Sequence, residues 1–332
     1  MKIAVDAMGG DNAPFEIVKG AYIASEHCKS NKDIEIVLLG DKVKILSCFS
    51  EISDNISNNI SIIHTDVVIT MDDDPMMVMK EKNNSSMAIG LKMLKNGEVD
   101  AFISAGSTGA LHAASTLIVR KIKGVRRSAI ASILPFSRPI LLLDSGANPT
   151  VTADILNQWA VIGSAYVNEM LGVEQPKVGL LNNGTEEHKG TPVVQEAYNL
   201  LKNNEYINFV GNIESREIPN SPCDVLITDG FTGNITLKLA EGMGAFFFST
   251  LKNVYTSNTK TKISYLLVKD QLKGLKKTFS SSSYGGAPLL GISKPVIKAH
   301  GSCKAENIFS AILQAINYSS SNIINRVQES LK

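Results

Sequence analysis

The residues most able to do chemistry gather in short polar loops, each following an apolar run. LLNNGTEEHKG, residues 180–190, closes one run with Asn182, Gly184, Glu187 and Lys189. LITDGFTGN, residues 226–234, closes another with Asp229, Gly230, Gly233 and Asn234. DAMGGD (6–11) carries Asp6 and the pair Gly9-Gly10, SAGSTGA (104–110) carries Gly106, Ser107, Thr108 and Gly109, and LDSGAN (143–148) ends in Asn148. YGGAPLLG (284–291) is followed by AHGS, with His300. Glycines let a ligand approach the backbone closely, and N–H groups at helix starts favour anions. Amides and one lysine add side-chain donors, so the set points to an anion-handling site with Lys189 as its cation. Any one stretch is equally the chemistry of a turn; six together, mostly at strand ends, exceed what turns require. G-x-x-x-x-G-K-[ST] and G-x-G-x-x-G are both missing, which excludes a Walker loop and the dinucleotide fingerprint.

The elements that must position these loops are legible from periodicity. KIAVDA (2–7), IEIVLLG (34–40), DAFISAG (100–106), ILLLDSGA (140–147), KVGLLN (177–182) and CDVLITDG (223–230) are apolar without polar alternation, as in strands covered on both faces. Helical segments alternate with them: 15–26 behind Pro14, 153–171 behind Thr152, and 193–204 behind Thr191-Pro192. The segment 304–330 is expected to be one last helix, with Ile308, Ala311, Ile312, Ala315 and Ile316 on a stripe that docks on the core or on a second subunit. The fold class is α/β, a mainly parallel sheet sandwiched by helices. Ligands of such sheets collect at the carboxyl ends of the strands, where the unusual residues fall.

The totals narrow the function classes. The 332 residues can bury a large core and are expected to form one domain over 1–332. Lys+Arg 33 against Asp+Glu 32 leaves a net charge of +1, so no global field draws the chain to nucleic acid or membrane. Cys28, Cys48, Cys223 and Cys303 are scattered, without metal-ligand spacing, and read as reduced thiols; no metal or cofactor is expected. Acids at positions 6 and 11 interrupt any secretory signal, and no apolar run has transmembrane length, which places the protein in the cytoplasm.

Two stretches break the pattern. Residues 66–86, with MDDDP and four Met, read as an irregular solvated excursion off the glycine-loop framework. Within a second excursion at about 245–283, Tyr265, Val268, Leu272, Leu275 and Phe279 share a helical stripe, while Lys260, Lys262, Lys269, Lys273, Lys276 and Lys277 face one acid, Asp270. A basic amphipathic helix of this kind lies on an anionic membrane or packs its stripe on protein.

Taken in order, DAMGGD, SAGSTGA, LDSGAN, LLNNGTEEHKG, TDGFTGN with LKLAEG, and YGGAPLLG with AHGS resemble the bacterial acyl-carrier-protein:phosphate acyltransferases, the PlsX family, from Lys2 to about Ser319. Departures are Ser107 for the family's usual Asn, Asn183 and Thr185 in the lysine loop, and a missing acid before Tyr284. The resemblance implies transfer of a long-chain acyl group from acyl carrier protein to inorganic phosphate, giving acyl phosphate for phospholipid synthesis. It also implies a homodimer with a fold similar to phosphotransacetylases and isopropylmalate dehydrogenases. The product would pass to a membrane glycerol-3-phosphate acyltransferase, so the enzyme would sit peripherally on the inner face of the cell membrane, with Tyr265, Val268, Leu272 and Leu275 as contacts.

Under that resemblance, Lys189 holds phosphate, and Asn234 with the helix-start amides near Gly233 receives the developing oxyanion. Asp229 orients Lys189 or Asn234, Glu187 partners Lys189, and His300 protonates the departing thiolate or is a structural histidine. The acyl slot is expected along the GALHAASTLIV helix and the APLLG turn, and Arg126, Arg127 and Lys298 either meet the acidic carrier or are solvated. The competing classes are a related-fold dehydrogenase and a non-catalytic membrane-surface module that binds acyl carrier protein.

Overall fold

Apolar runs without alternation become strands here because helices cover both of their faces. The structure is a computed structural model and describes residues 1–29, 33–53, 56–278 and 285–331, with side chains at 276–278 excepted. Phe279, Tyr284 and the side chains of Lys276 and Lys277 therefore lie outside the described residues.

The first half runs β1 (Lys2–Asp6), α1 (Phe15–His27), β2 (Glu35–Gly40), α2 (Lys42–Ile52), β3 (Ile60–His64), α3 (Ser86–Asn96), β4 (Ala101–Ser104) and α4 (Thr108–Ala114). Then come β5 (Ala129–Pro135), β6 (Pro139–Leu143), α5 (Ala153–Leu171), β7 (Lys177–Asn182), α6 (Pro192–Lys202), β8 (Asn208–Glu214), β9 (Val225–Ile227) and α7 (Gly230–Thr256). The chain ends with α8 (Thr259–Thr278), β10 (Ala287–Leu290), β11 (Val296–Lys298), α9 (Ala305–Ser320) and α10 (Ile323–Ser330).

The strands form an 11-stranded sheet in the order β3-β2-β1-β4-β11-β10-β5-β6-β9-β7-β8. Pairing is parallel within β3-β2-β1-β4-β11 and within β6-β9-β7-β8. Between these sets, β11–β10, β10–β5 and β5–β6 are antiparallel. Three successive reversals turn the second set against the first, so the carboxyl ends of the two sets do not share one edge of the sheet. Separate apolar clusters fill the two faces of each half.

Local chemistry explains most element boundaries. Thr191 accepts from Val194 N–H to cap α6, with Pro192 in the first turn. Thr152 stands at the N-cap of α5, but its side chain makes no capping bond. The expected single terminal helix is two, α9 and α10, separated at Ser321-Asn322. The α9 stripe docks on the core: Ile308, Ala311, Ile312 and Ala315 are buried, and Ile316 packs beside them. α1 crosses α9 at Gly20, where a Cβ would stand 2.6 Å from the Ala305 carbonyl.

The 66–86 stretch is anchored rather than simply solvated. Ile69 and Val78 are buried, and Lys82 pairs with Asp73 at 2.6 Å. A short 3-10 turn, Pro75–Met79, brings Pro75 within 3.2 Å of where a Cβ on Gly109 would stand. MDDDP thus lies against the glycine loop, contrary to the expectation that it sits apart.

Candidate active site

The residues picked out from sequence fall into two groups, one at the carboxyl ends of each parallel set. The first is built at β1, β4 and β11. Asp6, at the end of β1, accepts from Ser104 Oγ at 2.7 Å, and Ser104 Oγ in turn accepts from Gly106 N–H at 3.0 Å. Burial pushes the Asp6 carboxyl above its ordinary range, against hydrogen bonds from Ser86, Ser104 and the Met8 and Gly9 backbone. Gly9 and Gly10 allow the loops to close: a Cβ on Gly9 would meet Asp6 Oδ2 and Gly106 N at 2.7 Å, and one on Gly10 would meet the Gly301 carbonyl at 2.9 Å. Ser107 caps α4 through Ala110 N–H, leaving Thr108 and Gly109 exposed. His300 is exposed and is held at Nδ1 by Ser302 Oγ at 3.0 Å.

Lys298, read as a solvated or carrier-facing charge, is instead buried in this group. Its ammonium donates to the Ala105 carbonyl at 3.2 Å and to the Ala299 carbonyl. Burial lowers its pKa to about 8, partly opposed by Cys303, Asp11 and Asp6. Arg126 is ion-paired with Asp154 at 2.7 Å.

The second group stands at β6, β9 and β7, and Asp144 organises it. This fully buried carboxylate accepts from the backbone N–H of Ile130, Gly146, Ala147 and Asn148, and from Asn148 Nδ2 at 2.9 Å. Gly230 and Gly233 let α7 start against this loop: their Cβ atoms would stand 2.8 Å from Asp144 Oδ2 and 1.9 Å from the Asp144 carbonyl. Asn234 follows on the first turn of α7, with Nδ2 donating to the Ser145 carbonyl at a long 3.3 Å. Asp229 orients neither Lys189 nor Asn234, because its carboxylate caps α7 on Thr232 N and Oγ1, both at 2.8 Å. The helix-start amides of Gly230, Thr232 and Gly233 are likewise engaged, by Asn148, Asp229 Oδ1 and the Asp229 carbonyl. Those three N–H groups are therefore taken by the protein itself.

Lys189 stands in the loop between β7, which neighbours β9, and α6. Its stem packs over Gly184, where a Cβ would meet Cγ at 2.9 Å. Asn182 Nδ2 fixes the loop through the Lys189 carbonyl at 3.1 Å. Among the described residues no protein acceptor engages the Lys189 ammonium. Glu187 is not its partner: it takes Lys202 Nζ at 2.8 Å and Tyr198 OH at 3.1 Å, and the Lys202 hydrogen bond chiefly holds its carboxyl below the ordinary range.

Sequence reasoning missed the link between the groups. His112, on α4, contacts Ser128 Oγ at 3.0 Å, and the Ser128 carbonyl accepts from Asn148 Nδ2 at 2.9 Å. Ala147 packs on the same apolar cluster as Ala110, Leu111 and Ala114 of α4. The two groups therefore meet across α4, although no hydrogen bond joins His300 to Asn234 or Lys189. Burial lowers the His112 pKa, opposed by the Ser128 carbonyl and Asp144. Ser128 and His112 form a Ser–His contact, but Ser128 is buried and its hydroxyl is also within reach of Thr116, so it offers no nucleophile to an incoming ester. A lone polar residue inside the apolar GALHAAS helix was the available signal.

Where the acyl slot was expected, Ala110, Leu111 and Ala114 of α4 and Leu289 and Leu290 of the APLLG turn are core, while Leu117 of the same segment is exposed. A cavity of about 1370 Å³ lies instead beside α7, reaching Asn182, Thr228 and Asp229 at the strand ends. The stripe Tyr265, Val268, Leu272 and Leu275 lies on α8, which pairs with the exposed part of α7. Val268 and Leu272 are half-buried and the Tyr265 ring sits 5.7 Å from that of Tyr255, while Ile263, Leu266 and Leu267 are the more exposed apolar residues.

Comparison with known proteins gives a consistent result. The family described as "Fatty acid synthesis protein" matches residues 1–326. A phosphate acyltransferase of Caldanaerobacter subterraneus subsp. tengcongensis is 45% identical, covering 100% of this chain and 98% of its own. A phosphate acyltransferase of Streptococcus thermophilus is 45% identical over 94% of this chain and 92% of its own. Among solved structures, a phosphotransacetylase from Streptococcus pyogenes superposes with TM-score 0.64 at 18% identity, over 99% of this chain and 93% of that one. The EutD phosphotransacetylase from Staphylococcus aureus gives 0.60 at 18%, over 96% and 93%. These two likenesses are of fold, in line with the expected phosphotransacetylase-like architecture.

Proposed function

The chain belongs to the fatty acid synthesis protein family, and from that premise we propose that it is a phosphate acyltransferase moving a long-chain acyl group from acyl carrier protein to inorganic phosphate. The observation that carries this reading is the full-length 45% identity to a protein named phosphate acyltransferase. The same likeness favours catalysis over a non-catalytic carrier-binding module and over a dehydrogenase.

Phosphate is already partly dianionic near neutral pH, so it needs holding more than deprotonating. Lys189, with its ammonium unclaimed among the described residues, holds it. One phosphate oxygen attacks the thioester carbon, the carbonyl oxygen takes negative charge, and Asn234 Nδ2 donates to it. Collapse expels the carrier thiolate and leaves a mixed carboxylic–phosphoric anhydride. The thiolate is a tolerable leaving group and takes its proton from solvent or from His300, which the structure keeps exposed in the first group.

The reading extends to a homodimer acting at a membrane. Among the described residues no helix is long and apolar enough to cross one. The α7–α8 hairpin exposes Phe246, Phe247, Ile263, Leu266 and Leu267 beside Lys260, Lys262, Lys269 and Lys273, which suits an anionic surface next to the membrane enzyme that consumes the product.

Steady-state kinetics of two variants test the roles. Asn234→Ala is expected to lower kcat by roughly 10²–10³-fold, and Lys189→Ala to raise the KM for phosphate far more than the KM for the acyl carrier. Wild-type kcat in the first, or an unchanged phosphate KM in the second, removes the corresponding role.

A further inference from the structure

Five cations and no acid fall within residues 120–127: Arg120, Lys121, Lys123, Arg126 and Arg127. The segment leaves α4 by the π-helical turn Ser115–Val119 and enters β5 at Ser128-Ala129. Ile122 and Val125 anchor it in the core cluster that holds Trp159 and Val327, while Arg120, Lys123, Arg126 and Arg127 face out. This anchor lies on the face of the sheet away from α7, because Leu141 and Leu143 of β6 belong to it and Leu142 belongs to the cluster under α7. β5 pairs antiparallel with β6, Ala131 opposite Leu143, so the segment stands at the sheet edge where β6 runs into Asp144. Arg127 ties it to the second group of site residues: its guanidinium donates at 3.0 Å to the carbonyl of Thr150, two residues beyond Asn148.

Local partners account for only part of this charge. Arg126 pairs with Asp154, and Lys121 donates to the Arg126 carbonyl. Among the described residues no carboxylate pairs with Arg120, Lys123 or Lys294. Lys294 is brought beside Arg120 by its neighbour Ser293, which donates from N–H to the Arg120 carbonyl at 2.9 Å and from Oγ to the Val119 carbonyl at 3.0 Å. Arg120 itself has φ of 74°, a conformation that favours glycine, and its N–H donates to the Ser115 carbonyl at 3.0 Å. Three hydrogen bonds thus hold a long, exposed cation on strained backbone, of the kind that accompanies binding surfaces. Leu117, one turn earlier, is 48% exposed.

We propose that Arg120, Lys123, Arg127 and Lys294, around Leu117, form the surface on which the acidic acyl carrier protein docks. The assignment rests on the acyl-transfer reading above and adds where the carrier sits. An acidic protein suits this surface better than a bilayer does, because one exposed leucine among cations supplies charge without an apolar face to insert. Complementary charge steers encounter and fixes orientation more than it adds affinity. Here it delivers the thioester arm to the sheet edge that carries Lys189 and Asn234.

The test compares a triple variant, Arg120→Glu, Lys123→Glu and Lys294→Glu, with a control of equal charge change at exposed lysines of the first half, Lys19→Glu, Lys42→Glu and Lys95→Glu. Phosphate-dependent thiol release is measured with palmitoyl carrier protein and with palmitoyl pantetheine, which lacks the carrier. The triple variant is expected to raise the KM for palmitoyl carrier protein by about tenfold or more, with kcat kept and palmitoyl pantetheine turned over as by wild type; the control should keep both KM values. Lys123→Glu with Lys294→Glu, which leaves the Arg120 turn untouched, should give part of the same rise. An unchanged carrier KM, an equal loss on both substrates, or the same loss in the control overturns the proposal. Titration of the protein with carrier protein bearing a free thiol supplies a readout independent of turnover: weakened binding in the triple variant supports the surface. Unchanged carrier binding together with lost binding to anionic vesicles assigns the patch to lipid and overturns it. Carrier binding that the triple variant loses, in a protein that shows no phosphate-dependent release, would contradict the reaction and keep the docking surface.

Discussion

The Asp144 carboxylate accepts from four backbone N–H groups and the Asn148 amide, so Asp144→Ala strands a set of buried donors at once. A buried unsatisfied group costs about 1–3 kcal/mol, and the variant should lose about 3 kcal/mol or more, seen as a lower denaturant midpoint; an unchanged midpoint would contradict the role. Lys298 carries a pH signature. Its folded pKa is lowered to about 8, whereas the unfolded group titrates near its ordinary value of about 10.4. Between those values the unfolded chain binds more protons, so the Lys298 contribution to stability improves as pH rises through the window, and the cost of burying the charge is full below about pH 8. Cys303, raised to about 11 by burial, acts in the opposite sense as pH climbs from about 9. The difference in stability between wild type and Lys298→Met therefore isolates the lysine: it should move in favour of wild type from about pH 8 to 10.5, and a flat difference would count against the buried ammonium. At this scale, residue types and loops were legible in the sequence but partners were not. Asp229 and Glu187 lie one and two residues from Gly230 and Lys189, yet each is claimed elsewhere, by the Thr232 cap and by Lys202 one turn beyond Tyr198.

Elements with a long hydrophobic period were read well, and short ones were not. α5 runs over the residues its pattern marks, Ala153–Leu171, whereas β10 and β11 have 4 and 3 residues, too few to show a period. The break between α9 and α10 escaped notice although Ser319–Asn322 are residues that favour caps and turns over helix interiors, because apolar residues continue beyond it in Ile323 and Val327, which are buried. The α7–α8 hairpin was read as an amphipathic excursion, with the wrong emphasis among its apolar residues. Val268 and Leu272 are half-buried, so acidic substitutions there disturb the hairpin itself. Ile263, Leu266 and Leu267 stand out to solvent. Changing those three to Glu should weaken cosedimentation with anionic vesicles by about tenfold or more, since burying even one such side chain contributes roughly 1.5–3 kcal/mol, without altering the circular dichroism. Undiminished cosedimentation would remove the hairpin from the membrane contact.

At the scale of the whole molecule, the sequence disclosed a parallel α/β fold and the loops that carry chemistry, but not how the loops assemble. Convergence on one strand-end edge was the natural expectation. The antiparallel pairings through β10 and β5 defeat it, because the second strand set runs against the first. What joins the groups is α4, through His112, Ser128 and Asn148, a contact between residues 16 and 20 positions apart that no periodicity signals. The same long-range packing leaves the cavity beside α7 and buries Ala110, Leu111 and Ala114 where an acyl slot was expected. Acyl transfer to phosphate is the proposed reaction of the whole molecule. Its most direct test is release of free thiol from palmitoyl carrier protein with and without inorganic phosphate, with hydroxylamine trapping the product as a hydroxamate and Lys189→Ala run alongside. Phosphate-dependent release with trapped palmitoyl hydroxamate, lost in the variant, is the predicted result; carrier binding without phosphate-dependent release would contradict it.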